Sequence, residues 1–162
     1  RRNAIKNNTQ LDIKEALTEE VEINPGIACI IPDTYLPDVH ERLILYKRIA
    51  SANNEEELKD LKIEMIDRFG ALPDSTSNLF ESSSLKNYSN HIGVLKINIY
   101  DDKAEITLNE KNSIDTSKII NLIQTKPTQY QLKNQNTIVI NESMEPDMSR
   151  ISKISKLLST IA

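Results

Sequence analysis

An α+β domain, with helices packed against a largely antiparallel β-sheet, is what this sequence predicts, and three features point there. Apolar residues recur at helical steps through Asp38–Phe69, through 74–92 and again after Asp147. Between those blocks the period falls to two: Leu95, Ile97 and Ile99 alternate, Asp101-Asp102-Lys103 turns, and Ala104, Ile106 and Leu108 alternate again, a β-hairpin. The strands follow one another as hairpins, not as strand–helix–strand crossovers, which favours antiparallel pairing. At 162 residues the chain can close one compact core without disulfides or metal.

Taken from the start, Arg1–Ala16 is polar with scattered lysines and arginines and reads as a lead-in or short helix. The domain boundary falls near Glu20, leaving 21–162 as the folded unit. Val21 and Ile23 alternate with Glu20, Glu22 and Asn24, an edge strand that Pro25-Gly26 turns aside. Ile27–Ile31, containing Cys29, reads as a short buried segment.

Asp38 followed by Glu41 has the spacing of an N-cap and its reciprocal partner. Val39, Leu43, Tyr46 and Ala50 then mark one apolar helix face. Ser51-Ala52-Asn53-Asn54 interrupts it, and Asn53 or Asn54 can cap a second helix. That helix opens on Glu55-Glu56-Glu57, suited to the positive end of a helix dipole. Leu58, Leu61, Met65 and Phe69 form its apolar stripe, with Phe69 expected to be buried. Gly70 stands where a left-handed residue ends a helix, and Pro73 prevents continuation.

Asp74 is the expected cap of a third helix, with Leu79, Leu85, Tyr88 and Ile92 inward and Gly93 closing it. After the first hairpin, Asp115 caps a short helix carrying Ile119, Ile120 and Ile123, stopped by Pro127. Tyr130 and Leu132, the polar Asn134-Gln135-Asn136 and Ile138–Ile140 read as a second hairpin. Asp147 opens the last helix, with Met148, Ile151, Ile154, Leu158 and Ile161 at near-helical steps.

Little here announces chemistry. Three separated glycines, Gly26, Gly70 and Gly93, cannot assemble a phosphate-binding loop or a dinucleotide fingerprint. His40, His91 and Cys29 lack zinc-site spacing; His40 reads as a surface residue and Cys29 as a small core residue. Asp101-Asp102 reads as turn chemistry, and Arg150, Lys153 and Lys156 as a solvated helix face. The net charge of −4 argues against general affinity for nucleic acid. One cysteine excludes an internal disulfide framework and fits a reducing cytoplasm. No apolar run approaches a membrane span.

The second helix offers the one candidate surface. At about 100° per residue, Glu56, Asp60 and Asp67 fall opposite the apolar stripe, Glu64 flanks them, and Ile63 sits among them. A solvated face with one stray hydrophobe fits this pattern. So does a docking surface for a basic partner, in which the acids steer and Ile63 is buried.

The same stretch carries a family resemblance. Arg48-Ile49-Ala50-Ser51-Ala52, Glu57-Leu58 and Glu64-Met65-Ile66-Asp67-Arg68-Phe69-Gly70-Ala71-Leu72-Pro73 resemble the signature of the C-terminal domain of the bacterial transcription-repair coupling factors (the Mfd family). Ile31–Asp38 and the Val21–Ile23 strand resemble the segments leading into it. The resemblance implies that 1–20 is a tether from preceding motor domains, and the Arg1-Arg2 start, without an initiator Met, reads as a fragment of something longer or a processed product. It implies a non-catalytic domain without a cofactor of its own, ATP and magnesium belonging to the parent's helicase-like motor, which displaces RNA polymerase stalled on damaged DNA. In the family this domain packs on an N-terminal UvrB-like module, masks its UvrA-binding surface and restrains the translocase. The motif acids of that contact correspond to Glu64 and Asp67, beside Asp60 and Ile63; Arg68, Phe69, Gly70 and Pro73 correspond to its structural positions. A module touching DNA or RNA polymerase directly is the alternative, and a small hydrolase has almost no support.

Overall fold

The computed structural model describes residues 21–162; the expected tether over 1–20 lies outside the described residues, as does the side chain of Met148. The elements run β1 (Glu22–Asn24), α1 (Val39–Ser51), α2 (Glu55–Phe69), α3 (Asp74–Ile92), β2 (Val94–Ile99), β3 (Ala104–Leu108), α4 (Thr116–Thr125), β4 (Tyr130–Lys133), β5 (Thr137–Ile140) and α5 (Asp147–Ile161). The five strands form one sheet in the order β1-β2-β3-β5-β4. Pairing is antiparallel except between β1 and β2, which run parallel. A parallel pair needs a long crossover, and here the whole α1–α3 block supplies it.

Two apolar clusters organise the chain. In the first, the inward sheet face, with Ile97, Ile106 and Ile140, packs on Leu85 of α3 and on Ile154 and Leu158 of α5. In the second, Leu45 and Ile49 of α1, Leu58, Leu61 and Met65 of α2 and Phe80 of α3 pack together, closed by Ile31 and Leu36 of the strap that leads from β1 to α1. Helix α3 therefore enters both.

Both hairpins form where alternation placed them. In the first, a register shift between Val94 and Lys96 turns Val94 inward and leaves Leu95 37% exposed, so the inward set begins one residue earlier than strict alternation gives. In the second, Asn134 and Gln135 both hold positive φ, 57° and 71°, the backbone that suits the twist of a tight hairpin. Tyr130 is buried, whereas Leu132 is exposed at the outer end of the edge strand.

Several expectations are corrected. Val39 and Leu43 are 60% and 58% exposed, Ala50 is exposed, and α1 buries Leu45 and Ile49. This helix is apolar on most sides, so neighbours choose the buried face. Tyr46 Oη accepts from the Ile31 amide at 2.6 Å, and Arg42 donates to the carbonyls of Leu36 (2.7 Å) and Pro37 (3.0 Å), turning α1 toward the strap. Asp74 does not cap: Pro73 occupies the extended N-cap position without a side-chain cap bond and Asp74 stands in the first turn, whereas Asp147 opens α5 as expected, behind Pro146. An acid there still meets the positive end of the helix dipole. The segment Ile27–Ile31 is not buried throughout: Ile31 is buried, whereas Ala28 and Ile30 are exposed. Its polar groups bond sideways to α3, with Thr76 Oγ1 donating to Ile30 O at 2.9 Å and the Ile30 amide to Ser75 O at 3.2 Å.

Arg150 is the largest departure. It is 1% exposed, not part of a solvated face. Its guanidinium donates to Pro25 O (3.0 Å), Asp101 Oδ1 (3.1 Å) and Asp147 Oδ1 (2.9 Å), joining the turn after β1, the β2–β3 turn and the start of α5. Asp101 thus serves more than its own turn.

Candidate docking surface

Helix α2 is fixed at both ends by local chemistry. Asn54 Oδ1 accepts from the Glu57 amide at 2.9 Å, and Glu57 Oε2 accepts from the Asn53 amide at 2.7 Å, so two amides at the helix start are satisfied reciprocally. At the far end the Tyr35 hydroxyl donates to Gly70 O at 2.8 Å, with Met65 O at 3.2 Å. Tyr35 meets the Phe69 ring edge-on at 6.0 Å, and the Arg68 guanidinium covers Phe69 at 4.7 Å. Phe69 is half-buried under these two, not fully buried as the stripe suggested.

Gly70 has positive φ as expected, but φ 96° and ψ −171° lie outside the left-handed helical region, in a zone that only glycine enters readily. A Cβ there would touch nothing within 4 Å. The requirement is set by the backbone alone. Pro73 serves as the extended residue before α3 and accepts from the Thr76 and Ser77 amides, each at 3.0 Å.

With Leu58, Leu61 and Met65 buried, the opposite face of α2 is open. Glu56, Asp60 and Asp67 are exposed there, around an Ile63 that is 48% exposed. None of these three acids has a hydrogen-bond or ion-pair partner among the described residues. Ile66, 42% exposed and three residues after Ile63, enlarges the apolar centre. It went unnoticed in the sequence because it lies at the margin of the stripe; its spacing from Ile63 was the available signal.

Glu64 is placed differently from the other acids. Arg48 of α1 grips both of its oxygens, at 2.5 and 2.9 Å. Arg68 approaches the same carboxylate at 3.6 Å and bonds Glu41 of α1 at 2.9 Å. Glu41, expected to return to its own helix cap, crosses to α2 instead, while Asp38 caps α1 alone by accepting from the Glu41 amide. The hydrogen bonds from Arg48 hold the Glu64 carboxyl below its ordinary value and the Arg48 guanidinium above its own. Beside this pair a groove of about 390 Å³ runs along α2, lined by Arg48, Ser51, Glu57, Asp60 and Glu64 among others.

The remaining candidates do not join the surface. His40 is exposed on α1. Cys29 is half-buried against the sheet core, and burial, with Glu81 nearby, pushes its thiol up from the ordinary value. Among the described residues no three His, Cys, Asp or Glu side chains group as metal ligands. No described helix is long and apolar enough to cross a membrane.

The TRCF domain family profile matches residues 26–119, which includes α1, α2 and α3. The chain belongs to the TRCF domain family. It is 30% identical over 155 residues to the transcription-repair-coupling factor of Escherichia coli K12, covering 96% of this chain and 14% of that protein. With the same factor of Haemophilus influenzae it shares 33% identity over 159 residues, again 14% of the relative's length. The chain therefore corresponds to a small part of these proteins. A crystal structure of the C-terminal domain of transcription-repair coupling factor superposes with a TM-score of 0.65 at 19% identity, over 86% of this chain and 94% of that one, which establishes the shared fold. In this TRCF domain the Glu64–Gly70 motif divides by role: Asp67 faces outward, Glu64 and Arg68 bridge two helices, and Phe69 and Gly70 shape the end of α2.

Proposed function

We propose that this TRCF domain is a non-catalytic docking module of a transcription-repair coupling factor. The open face of α2 closes on the N-terminal UvrB-like module of the same polypeptide, masks its UvrA-binding surface and restrains the ATP-driven translocase. RNA polymerase and DNA are then reached only through the parent, which works in the cytoplasm and holds ATP and magnesium in its motor.

One observation supports this reading above the others. Ile63 and Ile66 stand exposed on α2, bordered on one side by three carboxylates that the described residues leave unpaired, with Lys59 beside them. An apolar centre with a charged rim matches the anatomy of a protein contact, and its sign selects a basic partner. Tethering within one polypeptide supplies an effective concentration of roughly millimolar, so a weak contact suffices to hold a closed state. Engagement elsewhere then needs to favour the open state by only a few kcal/mol.

Asp67→Lys and Ile63→Ser separate docking from folding, because both side chains are exposed. In the full-length parent each is expected to raise UvrA binding and basal ATPase activity together. Asp102→Lys, in the first hairpin turn, is the control; Asp101 is unsuitable because Arg150 uses it. Folded variants that match wild type in both assays would overturn the proposal. Salt-sensitive binding of the isolated chain to naked DNA would favour direct nucleic-acid contact instead.

A further inference from the structure

Glu64, beside the open face of α2, is already held within the chain, and the manner of its use has a consequence for docking. Arg48 takes both carboxylate oxygens in a fork, at 2.5 and 2.9 Å, and Arg68 leans on the same group at 3.6 Å. A carboxylate presents one edge to a bidentate guanidinium, so a second fork cannot engage Glu64 in the same way while Arg48 remains. Asp60 and Asp67, one turn to either side, carry no such occupant.

We propose that Arg48 is a built-in competitor for Glu64: an arginine of the docking partner takes the carboxylate as a fork only by displacing Arg48, and the internal pair re-forms when the partner leaves. The inference rests on the proposed docking of α2. The structure provides somewhere for the displaced guanidinium to go. Arg48 stands in the last turn of α1, where the helix dipole favours a cation. The adjoining groove of about 390 Å³ offers the carboxylates of Glu57 and Asp60 within the same lining. Exchange onto Glu57, of which the helix cap uses one oxygen, keeps Arg48 paired in both states, which lowers the cost of opening and closing. It also makes the contact weaker than its acids alone would give. Arg48 and Glu64 are 45% and 37% exposed, so the restraint is modest, about two- to fivefold in the closing equilibrium.

The test reads hydrogen exchange of the α2 amides in the full-length parent, relative to the isolated 162-residue chain. Docking adds protection in the full-length protein. Arg48→Gln is expected to increase that added protection about two- to fivefold, and Glu64→Gln to reduce it. Arg48→Lys, which keeps the charge but loses the fork, is expected to fall between wild type and Arg48→Gln, and it covers the case in which Arg48→Gln misfolds. Thermal melts of the isolated variants establish that each is folded. If folded Arg48 variants leave the added protection unchanged or lower it, the competition is disproved while docking stands. If wild-type α2 gains no protection in the full-length protein, the docking reading itself fails and takes this inference with it.

Discussion

Arg150 shows how one side chain ties distant parts of this chain together. Its partners Asp101 and Asp147 are 83% and 59% exposed at the side chain, whereas the guanidinium is 1% exposed. Removing the arginine returns both acids to water, but removing the acids strands a buried cation. The two experiments are therefore unequal. Arg150→Met is expected to cost about 2 kcal/mol, chiefly the charged hydrogen bond to Pro25 O. The double variant Asp101→Asn/Asp147→Asn is expected to cost more, roughly 3–5 kcal/mol, because the buried guanidinium keeps only the more distant carboxylate of Glu145, at 3.8 Å, as a counter-charge. Urea denaturation of the two variants decides the order; the reverse ranking would mean that the acids are not what hold Arg150 inside.

At the scale of the element, the seam between α1 and α2 is polar at its outer margin and apolar within. Leu45 and Ile49 meet Leu58, Leu61 and Met65 inside, while Glu41, Arg48, Glu64 and Arg68 cross above them. Exposed pairs contribute little singly, yet the seam has a readable pH signature. Glu64 is held below its ordinary 4.5, first by the Arg48 hydrogen bonds. A carboxyl lowered in the folded state adds stability that is complete above its unfolded value and is lost as pH falls through the folded one. Wild type is therefore expected to exceed Glu64→Gln by less than about 1 kcal/mol near neutral pH, with the gap closing on acidification below its ordinary value. Paired urea titrations at neutral and acidic pH measure this. A gap that widens on acidification would show that Glu64 is not held by these arginines.

Across the whole molecule, the helical cluster and the sheet cluster meet through α3 and the strap. Phe80 belongs to the first, Leu85 and Ile92 to the second, and one continuous helix carries all three. Between α2 and α5 a groove of about 410 Å³ separates the two bodies, so their coupling depends on that helix. At the strap the Ile30 amide donates to Ser75 O, while Thr76 Oγ1 and Asn78 Nδ2 of α3 donate to the carbonyls of Ile30 and Ala28. One cooperative unfolding transition is expected. Far-ultraviolet dichroism and tyrosine fluorescence should coincide through a denaturant series; the chain has five tyrosines and no tryptophan. Two separated transitions would show that α3 does not couple the clusters.

Much of this architecture was legible in short stretches of sequence, because the interactions that specify it are local. Asn54 and the glutamates after it start α2, the Leu58–Met65 stripe orients it, and Gly70 ends it, all within a few turns of chain. Alternation located both hairpins, and the helical period of Ile151, Ile154, Leu158 and Ile161 located the buried side of α5. The α2 wheel likewise brought out Ile63, Asp60 and Asp67 as a face. What stayed illegible depends on residues remote along the chain. The buried side of α1 follows the strap and α3, since the helix is apolar on most sides. The carboxylate of Glu64 is gripped by Arg48, sixteen residues earlier. Arg150 is drawn inside by Pro25, 125 residues away. Helical and strand periods place a side chain on a face, but they carry no information about which distant group arrives there. For charged residues, whose burial depends on a partner, folding alone supplies that answer.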